Sequence, residues 1–383
     1  MELLLVFGLL TAVFVGINIG GSSTGVAFGP SVGSRLVSKE GAAALMTVFA
    51  LIGGWTVGRN VISTMGGKIV PASQFSATAS AVILFFIGLS LLISNLSGVP
   101  ASTSMTAVGA IAGLGVATGT LNWETMGRIM SWWLVAPAVA FLSGGVIGRY
   151  LYVHMNDFFK IGKSEGTLLK YRNKIPVGLG EGTTYRELIS SVMVLVIACY
   201  MAFSAGASNV ANAIAPLVGA GGQGMIGINQ GILLAVGAIS IGSFTIARKT
   251  LDTVGDGITE LPLLASLVVS AVSASIISVL SFLGIPASLA ISATMCITGL
   301  GWGRASRTVK VKDTLKGETP EMNTAALKTD DDTDDKKQIG EESKEDQSDR
   351  KLFNPDMIGH VVTLWILTPT ISAMASFLVF SII

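Results

Sequence analysis

The sequence predicts an all-α polytopic membrane protein, built from one unit that occurs twice, inverted, with discontinuous or re-entrant helical segments in each copy. Three observations lead there. Of the 383 residues, 50% are hydrophobic and only 13% are charged, against roughly a quarter charged in an ordinary soluble domain. Apolar runs of about 18 or more residues, long enough to span a bilayer, recur along the chain. And one Gly-, Ser- and Pro-rich pattern appears twice in register. Gly20-Gly21-Ser22-Ser23-Thr24-Gly25-Val26-Ala27 returns as Gly206-Ala207-Ser208-Asn209-Val210-Ala211-Asn212-Ala213, Gly98-Val99-Pro100-Ala101-Ser102 as Gly284-Ile285-Pro286-Ala287-Ser288, and Gly113-Leu114-Gly115 as Gly299-Leu300-Gly301, all at one offset of 186 residues.

The elements follow in order. Apolar segments cover about 2–19, 40–58, 75–96, 104–119 and 129–153, then 187–204, 226–246, 260–283, 290–303 and 357–382, five before a polar linker and five after it. Residues 1–153 form the first membrane repeat, 154–186 a basic cytoplasmic linker, and 187–304 the first part of the second repeat. Residues 305–354 are a charged insertion and 355–383 the last helix of the second repeat. The insertion carries ten Asp/Glu and three Lys between Asp330 and Asp349, a composition that reads as disordered. The repeat also extends to Trp55–Arg59 and Phe244–Arg248, and to Trp133–Pro137 and Trp365–Pro369. The Gly/Ser-rich echo after the first segment of each copy reads as too broken to span, hence a re-entrant hairpin or the unwound end of a helix. Such backbone is tolerated at membrane depth only when buried in protein or lining a polar cavity.

Loop charge sets the orientation. Lys160, Lys163, Lys170, Arg172, Lys174 and Arg186 lie in the linker, and Arg304, Arg307, Lys310, Lys312 and Lys316 open the insertion. Both are expected on the cytoplasmic side. The counterpart of the insertion in the first copy, Thr118 to Glu124, has no Lys or Arg and is expected outside. Equivalent loops on opposite sides mean inverted copies, and inverted repeats with broken segments place a substrate site near midplane, between the copies, in transporters. The expected location is the cell membrane, as a multi-pass integral protein.

Several function classes drop out. With 25 basic and 24 acidic residues, the chain has no nucleic-acid signature. Cys199 and Cys296 form no CxxC pair, so neither a disulfide framework nor a zinc site is expected. HExxH is absent, and no His/Asp/Glu cluster suits a base or metal ligand, so an enzyme is not expected.

What remains is recognition by uncharged groups. In Pro100-Ala101-Ser102-Thr103-Ser104-Met105-Thr106 a helix-compatible proline is followed by four hydroxyls within about one turn, so that O–H and N–H donors gather at a helix start as an oxyanion cradle. The second copy keeps Ser288. In the other element Ser22, Ser23, Ser208, Asn209 and Asn212 supply donors and acceptors without full charge. Small-residue segments also serve plain helix packing, but four of them, paired and enriched in hydroxyls and Asn, favour a site. Arg59 and Arg248 end matched apolar segments, where interfacial snorkelling is the ordinary role and gating of an oxyanion the sharper one.

These residues resemble the inorganic phosphate transporter (PiT) family, whose halves carry a Gly-Ala-Asn-Asp-Val-Ala-Asn-Ala type signature and a Pro-Val-Ser-Thr-Thr-His type segment. The resemblance spans nearly the whole membrane portion. It implies phosphate transport coupled to sodium or protons, sulfate in some members, with Ser102, Thr103, Ser104 and Ser288 on the anion. Ser22, Ser23, Ser208, Asn209 and Asn212 would then line the neighbouring substrate or cation site. It implies no cofactor, no metal beyond a transported sodium, and a homodimer. The departures are specific: the family's acidic position falls on Ser23 and Asn209, the preceding Asn on Ser22 and Ser208, and the later Asn of the first signature on Val26. A carboxylate accepts the hydrogen bond of a protonated phosphate and repels sulfate, so its loss weakens that discrimination. The expected function is thus a secondary transporter of phosphate working by alternating access as a sodium or proton symporter. A sulfate or other oxyanion permease on the same scaffold is the alternative, with an anion channel further off.

Overall fold

The computed structural model describes residues 2–96, 102–159, 169–172, 175–179, 185–219, 225–248, 251, 262–308 and 355–382. Pro100, Ala101, Lys160, Lys163, Lys174, Thr253, Lys310, Lys312, Lys316 and the acidic tract lie outside these residues. The helices are α1 (Glu2–Gly33), α2 (Lys39–Trp55), α3 (Gly58–Met65), α4 (Ala77–Leu96), α5 (Thr103–Ala117), α6 (Trp123–Val146), α7 (Tyr152–Phe159), α8 (Tyr185–Val218), α9 (Ile228–Phe244), α10 (Leu263–Phe282), α11 (Leu289–Ala305) and α12 (Pro355–Ile382). The linker adds one antiparallel hairpin, Leu169–Arg172 with Ile175–Leu179, an exception to the all-α expectation. The first-repeat boundary at 153 falls inside a helix: a π turn at Ile147–Leu151 joins α6 to α7, which runs on to Phe159.

Among the described residues six helices are long and apolar enough to cross a membrane, or seven if α2 and α3 count as one span bent by 62°. That bend is a true discontinuity. The signatures are not: Gly20–Gly33 lies wholly within α1 and Gly206–Val218 within α8, so the expected hairpin or unwound end is corrected to unbroken helix. Back-bonding keeps the polar residues compatible with a helix. Thr24 Oγ1 donates to Gly20 O at 2.7 Å, and Ser22 Oγ reaches Asn18 O and Ile19 O at 3.2 Å. Pro30 and Pro216 sit inside the two helices near their C-terminal ends.

The glycines serve close helix crossings rather than turns. A Cβ on Gly20 would run into Ile239 O, and one on Gly206 into Ala50 O; one on Gly53 would meet Phe203 O, and one on Gly242 Ile17 O. Allowing for the repeat's three-residue slip, these are the same two contacts made twice. Farther along, Gly113 lies against Ala373 O while Gly299 lies against Phe141 O, again one contact and its counterpart. Each copy therefore completes the other: α1 packs on α9 and α2 on α8, while α5 packs on α12 and α11 on α6. Small residues at such crossings let backbones approach, which is how membrane helices gain packing without a hydrophobic driving force.

Candidate functional site

The reciprocal packing brings the two signatures together at their equivalent positions. Asn209 Nδ2 donates to Ser23 Oγ at 3.3 Å, joining two residues related by the 186-residue offset. Beside this contact lies a cavity of about 50 Å³, lined by Ser22, Ser23, Val26, Leu91, Thr103, Ser104, Asn209, Ser288, Leu289 and Ala290. Where one water needs about 10–15 Å³, that is room for a few waters or one compact oxyanion.

Two helices begin at this cavity. Ser102 caps α5, its Oγ accepting from Met105 N at 3.3 Å, and Ser288 caps α11 in the same way, accepting from Ile291 N at 3.3 Å. These caps use the third N–H of each helix and leave the first two, on Thr103 and Ser104 and on Leu289 and Ala290, without an intrahelical acceptor. The positive ends of two helix dipoles thus meet at one small space.

The side chains around it form an oriented network. Asn212 Nδ2 donates to Asn209 Oδ1 and to Ser104 Oγ, each at 3.2 Å. Ser208 Oγ donates to Ala287 O at 2.9 Å, so in its 3.2 Å contact with Ser104 it is the acceptor and Ser104 the donor. The chain of donors runs Asn212 to Ser104 to Ser208 to Ala287 O. Ser23 and Ser288 each accept a hydrogen bond, which leaves their O–H to donate. The space is rich in donors, and among the described residues no charged side chain lines it.

The structure brings Ser22, Ser23, Thr103, Ser104, Asn209 and Ser288 to the cavity wall. Ser208 and Asn212 sit behind Ser104, fully buried, and Ser102 is wholly enclosed as the α5 cap. Arg59 and Arg248 lie elsewhere, on a reciprocal pair of contacts. Arg59 donates to Trp55 O and, at 2.6 Å, to Asn229 Oδ1, with its guanidinium 4.9 Å from the Trp55 ring; Arg248 pairs with Glu40 at 3.3 Å. Asn229 is the repeat counterpart of Glu40, so both arginines tie the end of one copy's helix to the start of the other's. Sequence reasoning missed Val26, Leu91, Leu289 and Ala290, whose apolar character carries no signal of a site. Asn212 Oδ1 is buried without a hydrogen-bond partner. Among the described residues no group of three His, Cys, Asp or Glu gathers as metal ligands.

Comparison with known proteins bears on the family and the fold. The family model described as "Phosphate transporter family" matches residues 19–376. The sulfate permease CysP of Bacillus subtilis (strain 168) is 29% identical over 297 residues, covering 77% of each chain. A solved structure titled "The sodium-dependent phosphate transporter" superposes with a TM-score of 0.67 over 100% of this chain and 99% of its own, at 19% identity, a likeness of fold. With its membrane-spanning helices and a match over nearly its whole length, the chain is a multi-pass integral membrane protein that belongs to the phosphate transporter family.

Proposed function

We propose that this protein is a secondary transporter of a divalent tetrahedral oxyanion, held at the cavity between Ser23 and Asn209 and released to either side by movement of one repeat against the other. The observation that carries this reading is the convergence of two helix N-termini on one small, uncharged, donor-rich space. Four backbone N–H groups and the hydroxyls of Ser23, Thr103 and Ser288 suit oxygens spread over a tetrahedron, and dehydration of a dianion is offset by donors already in place. Reciprocal contacts between the copies support alternating access, because two equivalent halves can exchange conformations at little cost.

Between phosphate and sulfate, the site favours sulfate. Hydrogen phosphate brings an O–H that needs an acceptor. Here Asn209 Oδ1 and Ser104 Oγ already accept from Asn212, and no carboxylate is at the wall. Sulfate brings only acceptors and meets the backbone N–H groups and the hydroxyls of Ser23, Thr103 and Ser288 as donors. The orphaned Asn212 Oδ1 supports a coupling cation beside the anion, since a hard ion such as sodium accepts amide, hydroxyl and carbonyl oxygens.

Uptake of labelled sulfate and labelled phosphate into proteoliposomes, under sodium or proton gradients in turn, tests both parts. Sulfate accumulation driven by one gradient, with phosphate a weak competitor, is the expected result. Equal inhibition by both anions overturns the sulfate preference, and uptake of neither overturns the transporter reading. Rapid equilibration without gradient dependence would make the protein a channel.

A further inference from the structure

The crossing of α6 with α11 builds a second cavity that the transport reading does not use. It measures about 280 Å³, and its wall includes Phe141, Val146, Arg149, Tyr150, Trp302 and Ser306. One end is apolar: the Phe141 and Trp302 rings meet at 5.9 Å, and Leu142 and Val146 are 62% and 54% exposed beside them. The other end is basic. The π turn at Ile147–Leu151 re-aims the helix so that Arg149 reaches Ser306, donating to its Oγ at 2.6 Å and to its carbonyl. Arg307 Nη1 then donates to Arg149 O at 2.7 Å, and Arg304 lies buried one turn before. Tyr150 stands beside Arg149, ring centroid 5.8 Å from the guanidinium.

The duplication supplies an internal control. The counterparts of Phe141, Arg149, Tyr150, Trp302 and Arg304 in the other copy are Ala373, Ser381, Ile382, Val116 and Thr118. Both copies keep one glycine at the crossing, Gly299 against Phe141 O in one and Gly113 against Ala373 O in the other, while Gly144, Gly148 and Gly303 bring α6 and α11 together where the other copy has Ser376, Phe380 and Ala117. Phe141, Trp302 and the arginines thus belong to one copy alone, at a crossing that glycines leave open.

We propose that this groove is a binding site for one anionic phospholipid, its acyl chain between Phe141, Val146 and Trp302 and its headgroup phosphate at Arg149. The groove is apolar along the part that faces hydrocarbon and cationic at the end next to the basic start of the insertion, the order in which a phospholipid presents chain and phosphate. Basic pockets between membrane helices on the cytoplasmic side recognise anionic headgroups. Arginine suits phosphate oxygens through its planar fork, and Tyr150 beside it suits the interface belt.

Native mass spectrometry of the purified full chain, titrated with phosphatidylglycerol or phosphatidylcholine of matched chains, tests this. Expected is a one-to-one phosphatidylglycerol adduct that outlasts the phosphatidylcholine adduct by about tenfold in concentration, about 1.4 kcal/mol. Val146→Trp fills the groove from the lipid side and abolishes the adduct, whereas Val139→Trp, on the same helix outside the groove, keeps it. Arg149→Gln removes the headgroup preference but leaves weak binding of both lipids. Equal retention of the two lipids by the unmodified chain overturns the proposal, as does an adduct unaffected by Val146→Trp. Displacement by inorganic sulfate would mark a free-anion site instead, and a doubled mass with loss of the adduct would mark an interface between two copies.

Discussion

The two copies of the repeat share a path through the membrane but divide the work at the cavity. Along α8, Tyr200, Ser204, Ser208 and Asn212 fall at four-residue spacing on one face, and each bonds outward: to Ser275 at 3.3 Å, Ala274 O at 3.1 Å, Ala287 O at 2.9 Å and Ser104 at 3.2 Å. The counterparts on α1 are Phe14, Asn18, Ser22 and Val26. There Asn18 donates to Phe14 O and Ser22 to Asn18 O, within their own helix. The second signature is thus cross-linked to the loop and helix that carry Ser288 and Ser104, and acts as a frame. The first signature presents Ser22 and Ser23 to the cavity, and its side-chain ties to the other copy include Ser23 accepting from Asn209 and Thr24 donating to Ser243. Duplication supplies two equivalent walls, and substitution makes one of them a support and the other a face.

The largest effects should come from breaking what the copies share. Gly53→Leu and Gly242→Leu each drive a side chain into a backbone carbonyl of the opposite copy, and overpacking costs about 1–3 kcal/mol or more. Both should lose monodisperse protein on size-exclusion chromatography to a similar degree. If one is tolerated, the reciprocity is geometric but not energetic.

Next comes the division of labour. Ser208→Ala removes the donor to Ala287 O and the acceptor for Ser104, and buried groups left unsatisfied cost about 1–3 kcal/mol. Its melting temperature should fall along with uptake. Ser22→Ala removes only a bond within α1, so uptake should fall with little change in melting temperature. Matching losses of stability would erase the distinction between frame and face.

Selectivity tests symmetry at the contact point itself. Ser23→Asp and Asn209→Asp each place an acceptor-only group at the cavity, and each should move competition toward phosphate by about tenfold, about 1.4 kcal/mol. A shift in only one variant would mean that the anion sits off the axis that the Ser23–Asn209 contact defines.

Smallest are the two arginine ties. Exposed ion pairs contribute about 0.2–1 kcal/mol and are screened by salt. Arg248→Gln should lower stability slightly at low salt and not at high salt, because its partner is Glu40, with side chains 58% and 59% exposed. Arg59→Gln should show a similar loss with less salt dependence, since Asn229 is neutral. A large loss of uptake with unchanged stability in either variant would support the gating role.

Much of the molecule was legible in the chain, for physical reasons that differ by element. Apolar length announces membrane helices because the bilayer leaves few alternatives, and the 186-residue echo announces paired walls because both copies must fit each other. The caps at Ser102 and Ser288 could be read from hydroxyls placed just before apolar runs. The signatures misled. Glycine, serine and asparagine at Gly20–Ser23 and Gly206–Asn209 look like helix breakers by propensity measured in water. Inside a membrane protein the same residues permit close crossings and bond back to the helix, so α1 and α8 run through unbroken.

By itself, then, the sequence determined the membrane class, the duplication, the hydroxyl-rich helix starts and the absence of a carboxylate from the signatures, all local or periodic properties of the chain. Only the tertiary structure decided that Ser23 meets Asn209 rather than water and that Ser208 and Asn212 stand behind Ser104 instead of beside it. It also decided that Arg59 and Arg248 brace the copies away from the cavity. Those choices depend on which backbones approach within reach of each other, and that distance is set by residues far apart in the chain, such as Gly53 and Phe203.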